Sequence, residues 1–157
     1  MSDVRPASLV DQVEVHLREN HAAMREVLAG LTPEALDWRP GPETNSIAAI
    51  FSHAIDAERH LTAAVAGLTL PRDREAAFRV RGMTADELSA QIDAVERDVH
   101  DHLGRITEEH LSNSLTRGER TRSGVWWLLQ VAGHSREHLG QAALTRQLVE
   151  REAPRAG

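Results

Sequence analysis

The chain has 157 residues, and its 24 acidic residues outnumber 18 basic ones, all arginine, to give a net charge of −6. This balance argues against a general nucleic-acid binder, whose surface normally carries an excess of basic residues. Cys, Tyr and Lys are absent, which excludes disulfides, Cys-ligated zinc, a thiol nucleophile, a tyrosine acid and a Schiff-base lysine. Histidine occurs nine times, so any chemistry must come from histidine, carboxylates, hydroxyls or a bound ion.

The length predicts a single domain over residues 1–157. No segment approaches the roughly 20 consecutive apolar residues of a membrane span. The first fifteen residues, MSDVRPASLVDQVEV, contain no apolar signal core. We therefore expect a soluble protein that stays in the cytoplasm and does not bind a membrane.

Between clusters of Gly and Pro lie long stretches rich in Ala, Leu, Glu and Arg, which favour helices. Capping signals divide them into four long predicted helices. Ser46 or Asn45 caps the second, a T-x-x-E capping box opens the third, and Ser123 caps the fourth. The predicted ranges are 8–29, 46–66, 84–105 and 123–150.

The connecting segments differ in length and composition. Residues 31–44 hold a Thr-Pro helix start and then a Pro-Gly-Pro run, which predicts a short helical turn followed by a loop. Residues 68–82 show no sustained period and predict a long crossover, and residues 106–122 are polar and irregular, with one turn near 107–110. No alternating strand pattern is sustained. The sequence therefore predicts an all-α fold, a four-helix bundle with long crossover loops.

Two histidines of the fourth helix, His134 and His138, are four residues apart and so lie one turn apart on the same face. Apolar residues such as Trp127 and Val131 share this face, which predicts that both imidazoles point into the bundle. Such a pair can direct two ring nitrogens at one metal ion. A third ligand would come from the second helix, where His53 lies in a more enclosed setting than His60.

Spacing alone leaves two interpretations open. Inward histidines on two helices fit a metal site, but a single buried histidine is more often a core residue that forms hydrogen bonds. The remaining histidines fit solvated helix faces or loops: His16, His21, His100, His102 and His110.

Two segments, SIAAIFSHAIDAE (46–58) and GHSREHLGQ (133–141), together resemble the DinB-like (YfiT-like) metal-binding four-helix bundles. The sequence LDWRP (36–40) before the second helix is also similar to that family's loop. The resemblance covers nearly the whole chain. It implies an up-down-down-up bundle, often dimeric, in which His53, His134 and His138 hold a divalent ion, usually zinc or nickel.

Relatives in that family include thiol S-transferases that use mycothiol or bacillithiol, hydrolases, and members with no known activity. The resemblance therefore implies a metal-dependent enzyme that acts on a small-molecule substrate, with thiol S-transfer ahead of hydrolysis. A non-catalytic metal-binding or interaction bundle is the second alternative. Since the chain has no Cys, S-transfer requires that the sulfur arrive with a low-molecular-weight thiol co-substrate.

Several other residues are candidates for supporting roles. Glu58 is the best placed of three carboxylates that could accept a second N–H from a ligand histidine, although a solvated carboxylate is the commoner case. Gln141 continues the histidine stripe and could bind substrate or water, or only fill the bundle end. The other two carboxylates are Asp56 and Glu137. A basic cluster could receive an anionic group or be solvated, and it consists of Arg117, Arg120 and Arg122. Three tryptophans could anchor the core and loop or line a pocket: Trp38, Trp126 and Trp127.

Overall fold

A computed structural model describes residues 8–152 of the chain. Four long helices make up most of it, and three short helices and one β-hairpin lie between them. The elements in chain order are α1 (Leu9–Leu28), α2 (Pro33–Asp37), α3 (Ile47–Val65), the 3-10 helix η1 (Arg74–Arg79), α4 (Ala85–Leu103), α5 (Glu108–Ser112), β1 (Ser114–Arg117), β2 (Arg120–Ser123) and α6 (Gly124–Glu152).

The predicted capping residues start the helices as expected. Ser46 accepts a hydrogen bond from the backbone of Ala49 at the start of α3, and Thr84 forms a capping box with Glu87 at the start of α4. The Ser123 hydroxyl accepts from the backbone N–H of Trp126 at the start of α6. These local bonds satisfy N–H groups that have no partner inside the helix, which is why the helix starts could be predicted.

Contacts between α1 and α4 show that these helices run in opposite directions. Arg25 near the end of α1 binds Asp93 in the first half of α4. Glu14 near the start of α1 contacts His100 near the end of α4. The order of contacts is reversed along the two helices, so α1 and α4 are antiparallel.

Two other helix pairs, α3 with α4 and α1 with α6, are parallel. On α3 and α4, Arg59 binds Asp98. Thr62, later on α3, contacts His102, later on α4. On α1 and α6, the contact between Asn20 and Ser135 is followed by contacts of Arg146 with the end of α1. The four long helices therefore form the expected up-down-down-up bundle, in which α3 packs against both α4 and α6.

The core lies between the four long helices. Because α3 is central, it is buried on nearly every side, and even polar residues of this helix lie inside. The largest apolar side chains with almost no exposure are Leu17, Met24, Leu28, Leu36, Ile47, Phe51, Leu88, Ile92, Leu103 and Leu128.

The segment 106–122 differs from the prediction, because it contains a β-hairpin. β1 and β2 pair antiparallel, with Arg117 opposite Arg120 and Gly118 in the turn at φ 58°. The Trp127 indole N–H donates to the carbonyl of Leu115 at 2.9 Å and ties the hairpin to α6. The strands are four residues long and mostly polar, so their sequence lacks the alternation that would have predicted them.

The crossover from α3 to α4 also contains an element that the sequence did not indicate. Asp73 caps the 3-10 helix η1 by accepting from the backbone of Ala76. Phe78 on η1 lies against α3, where its ring stacks on His53 with 4.7 Å between ring centroids. The crossover therefore covers part of α3 instead of running free.

Two histidines that were expected to be solvated are buried. His21 has no exposed surface, and its Nε2 lies 2.5 Å from Oε2 of Glu58 and its Nδ1 3.1 Å from Oε2 of Glu96. His102 is 8% exposed and lies 3.0 Å from the Thr62 hydroxyl. Both sit where polar groups of neighbouring helices can satisfy an imidazole, which depends on tertiary packing and not on helix periodicity.

Among residues 8–152, no helix is both long enough and apolar enough to cross a membrane.

Candidate metal centre

His134 and His138 lie one turn apart on α6, and their rings approach each other closely. The two Nε2 atoms are 3.0 Å apart. Two nitrogens bound to one tetrahedral zinc ion at about 2.0–2.1 Å would be roughly 3.3 Å apart. The spacing of the pair is therefore close to what a shared ion requires.

His53 completes a group of three. It comes from α3, and its ring centroid lies 5.2 Å from that of His134 and 5.0 Å from that of His138. One ring nitrogen from each of the three histidines lies within 4.8 Å of the other two. The structure thus brings together His53, His134 and His138, the three residues expected as ligands. We call this group the histidine triad.

The triad lies at the edge of the bundle core. His53 is 7% exposed, whereas His134 and His138 are half-buried. The fully buried stripe of α6 runs through Leu128 and Ser135, beside the histidines, so the expectation that both imidazoles point straight into the bundle is only partly right. This edge position leaves the triad open on one side.

Gln141 determines the protonation pattern of His138. Its amide oxygen lies 2.7 Å from Nδ1 of His138, and since a carbonyl oxygen can only accept, Nδ1 must carry the hydrogen. In a neutral ring Nε2 then holds the lone pair, and Nε2 is the atom that faces His134. Metal-binding histidines commonly donate their other N–H in this way. Gln141 is exposed and so does not fill the bundle end.

The other two triad histidines carry buried nitrogens without a partner. Within residues 8–152, Nδ1 of His53 and Nδ1 of His134 have no hydrogen bond. A buried polar atom left unpaired costs about 1–3 kcal/mol, so such atoms usually mark a functional constraint. The all-nitrogen donor set and its spacing fit a zinc or nickel ion.

The environment favours the uncharged form of two triad histidines, His53 and His134. Burial, followed by the positive charges of His134, His138, Arg74 and Arg72, lowers the pKa of His53 to about 4. Burial, then the charge of His138, also lowers the pKa of His134. Neutral imidazole is the form that binds metal ions.

A cleft of about 680 Å³ opens beside the triad, within the usual size range of small-molecule sites. His53, Ala57 and Leu61 occupy successive turns of α3 and form its floor, and Trp127 and His134 of α6 form one wall. The remaining lining comes from the crossover and the hairpin, with Arg72, Arg74, Thr116, Arg117, Gly118 and Arg120.

The family model of the DinB superfamily matches residues 16–142, which contain the whole triad and most of the bundle. The chain belongs to the DinB superfamily. The match confirms the resemblance seen in the sequence.

Two solved structures share this DinB fold. A conserved protein from Enterococcus faecalis superposes with a TM-score of 0.79 at 20% identity, covering 93% of this chain and 99% of its own. A DinB-like protein from Bacillus cereus ATCC 10987 gives a TM-score of 0.67 at 18% identity, over 88% and 90% of the two chains. No curated protein matches the sequence. At these identities the likeness concerns the fold alone.

His60 is not part of the triad in this DinB chain. It is buried, with 5% of its surface exposed. Its Nδ1 lies 2.9 Å from the carbonyl oxygen of Asp56 and its Nε2 2.9 Å from that of Pro71. His60 therefore fastens the crossover to α3, immediately before Arg72.

Glu58 does not occupy the solvated position that is common for helix carboxylates. It is fully buried, and its Oε2 binds His21 rather than a triad histidine. Its Oε1 has no hydrogen bond in the described part of the chain. Of the other two carboxylates, Asp56 binds Arg72, and Glu137 lies 3.5 Å from the amide nitrogen of Gln141.

The predicted basic cluster is divided by the structure. Arg117 and Arg120 line the cleft, whereas the guanidinium of Arg122 lies over the ring of Trp126 at 5.7 Å. Arg72 and Arg74 line the cleft as well, although the sequence did not single them out. Only their position in the crossover next to α3 could have suggested them. Trp127 both anchors the hairpin and lines the cleft.

Proposed function

We propose that this protein is a metal-dependent enzyme that acts on a small molecule bound in the cleft. The observation that carries the proposal is the convergence of three imidazoles from α3 and α6 at the edge of a cleft. A purely structural ion would be enclosed by protein ligands, whereas catalytic sites offer three protein ligands and an open position. A bound zinc or nickel ion would supply Lewis-acid chemistry, lowering the pKa of a water or thiol at that position.

The chain's own residues would prepare this site. His53, His134 and His138 hold the ion, and Gln141 keeps His138 in the tautomer that presents Nε2. Phe78 stacks on His53 and shields that side of the triad from water. These contacts are present before any ligand binds, so little reorganisation is needed for binding.

We propose thiol S-transfer as the reaction. A low-molecular-weight thiol loses its proton to water, its sulfur forms a bond to an electrophilic carbon, and the leaving group departs with the bonding electron pair. The chain has no Cys, so the sulfur must belong to a co-substrate, and the cleft has room for such a molecule next to the triad. Mycothiol, bacillithiol and glutathione are the thiols to examine.

Hydrolysis is the alternative, because the same open position would serve an attacking water. A non-catalytic bundle in which the ion ties α3 to α6 is the second alternative. The cleft beside the triad favours an enzyme over that structural role.

Elemental analysis of untagged protein tests the metal. We expect about one divalent ion per chain, lost in His134→Ala and retained in His16→Ala, whose side chain is half-exposed and does not belong to the triad. Circular dichroism spectra must show that both variants are folded. Unchanged metal content in folded His134→Ala would contradict the proposed site.

The reaction is tested with metal-loaded protein, each thiol in turn, and monochlorobimane as the electrophile, with the adduct measured by fluorescence and mass spectrometry. We expect at least one thiol to react faster than with the metal-free protein. Hydrolysis of 4-nitrophenyl acetate without thiol would favour the alternative reaction. Absence of acceleration with every thiol would remove the S-transfer proposal.

A further inference from the structure

Four arginines from two separate segments surround the cleft beside the triad. Arg72 and Arg74 come from the α3–α4 crossover, and Arg117 and Arg120 come from the hairpin, more than forty residues later. The chain as a whole carries a net charge of −6. A concentration of arginine at one cleft in an acidic protein therefore marks a local site and is not a general property of the surface.

Most of this positive charge is not neutralised by the protein. Arg72 binds Asp56, with its Nε 2.8 Å and its Nη2 2.7 Å from Oδ2. Within residues 8–152, Arg74, Arg117 and Arg120 form no ion pair with a carboxylate. Asp73, next to Arg74, is itself paired with Arg79 at 2.7 Å. Three guanidinium groups are thus available to a ligand.

The cleft is shaped for a ligand with both apolar and charged parts. Ala57 and Leu61 give it an apolar floor, and arginines stand at two of its sides. His53 lies at the end of this floor, more than nine-tenths buried and with an unpartnered Nδ1. His53 also belongs to the histidine triad, so a molecule bound in the cleft would lie next to the triad.

We propose that this cleft binds a small molecule that carries at least two acidic groups, carboxylate or phosphate, and holds its reacting part against the histidine triad. Its role in substrate selection rests on the metal-dependent activity proposed above. Two acidic groups are required because the crossover and the hairpin each contribute arginines. The planar guanidinium forms paired hydrogen bonds equally well with carboxylate and phosphate, which is the chemistry that the two share.

Isothermal titration calorimetry of the metal-loaded protein tests binding with three probes of similar size. Glutarate carries two carboxylates, 3-phosphoglycerate carries one carboxylate and one phosphate, and glutaramide is the neutral counterpart of glutarate. We expect at least one anion to bind and glutaramide not to bind, and the tighter anion identifies the preferred acidic group. The same titrations on metal-stripped protein serve as a control, because without the ion the probes cannot bind to it directly.

Substitution of single arginines locates the site. Arg74→Gln and Arg117→Gln should each weaken binding of the anion about tenfold, as expected for the loss of one charge-assisted contact. Arg122→Gln is the matched control, because it removes the same charge from the same hairpin but Arg122 lies over Trp126 and outside the cleft. Thermal melts and metal content should be unchanged in all three variants, since none alters the triad.

The inference is overturned if glutaramide binds as tightly as the anions, if neither anion binds, or if Arg122→Gln weakens binding as much as Arg74→Gln and Arg117→Gln. Failure of the proposed metal function looks different. In that case the wild-type protein would contain no ion, while the stripped protein would still bind the anion with the arginine dependence described above.

Discussion

The amide oxygen of Gln141 accepts a hydrogen bond from Nδ1 of His138 at 2.7 Å. Gln141, three residues after His138 on α6, thereby leaves the lone pair of His138 on Nε2. This Nε2 atom lies 3.0 Å from Nε2 of His134. An exposed glutamine outside the triad thus determines which nitrogen a metal ion would meet.

Gln141→Ala should weaken metal affinity about 10- to 100-fold, the usual cost of removing a hydrogen-bond partner of a ligand histidine. The physical reason is that His138 could then adopt either tautomer and rotate. Competition against a chromophoric chelator measures the effect. Gln147→Ala, an exposed glutamine on the same helix, is the control, and equal affinity of the two variants would show that Gln141 has no positioning role.

Gly124→Ala should destabilise the fold by about 1–3 kcal/mol, the usual cost of overpacking. A Cβ at this position would lie 2.2 Å from the backbone oxygen of His110, so α5 would have to move away from α6. A Cβ added at Gly140 on the same helix would have no other side chain or distant backbone within 4 Å. Gly140→Ala should therefore raise the free energy of unfolding by up to about 1 kcal/mol. Urea denaturation of the two variants checks the opposite signs, and equal destabilisation would contradict the close approach.

Trp127→Phe should cost about 1 kcal/mol through loss of the indole hydrogen bond to the carbonyl of Leu115. Because this bond ties the hairpin to α6, amide hydrogen exchange should become faster in residues 114–123. Trp126→Phe is the control, since its indole nitrogen forms no hydrogen bond in the described part of the chain. Unchanged exchange in Trp127→Phe would mean that other contacts hold the hairpin.

Stability should fall as the pH rises above about 6.5, because of His21. Burial alone would lower the pKa of His21, but its hydrogen bond to Glu58 and the charges of Glu58 and Glu96 outweigh burial, so the pKa is raised. Below the pKa of His21 in the unfolded chain, His21 is protonated in both the folded and the unfolded state, and its interaction with Glu58 contributes its full share to stability. As the pH rises through the folded pKa, the folded state loses its proton and the contribution disappears.

Urea denaturation at several pH values measures this profile in the wild type and in Glu58→Gln. The variant should be about 3 kcal/mol less stable near pH 6, since one partner of a buried pair is removed, and its stability should fall less as the pH rises. Glu26→Gln, at an exposed position of α1, should retain the wild-type profile. A Glu58→Gln profile parallel to that of the wild type would rule out the His21 pair as its source.

Features that depend on neighbours within a few residues could be predicted from the amino-acid sequence. Helix starts at Ser46, Thr84 and Ser123 follow from side-chain bonds that span three residues. The close approach of His134 and His138 follows from the 3.6-residue helical turn. The four long helices predicted the bundle, and the enclosed setting of His53 predicted the third histidine. The resemblance, which rests on local segments around these residues, added the up-down-down-up order.

Contacts between side chains from distant segments could not be predicted in this way, because they depend on how the helices pack. The burial of His21 depends on carboxylates 37 and 75 residues away, and helix periodicity gives the direction of a side chain but not what faces it. The division of the arginines has the same cause: Arg122 was separated from Arg117 and Arg120, and Arg72 and Arg74 were brought to them. Loop paths are fixed by the contacts of His60 with Pro71 and of Trp127 with Leu115, and such contacts form only when the helices pack together.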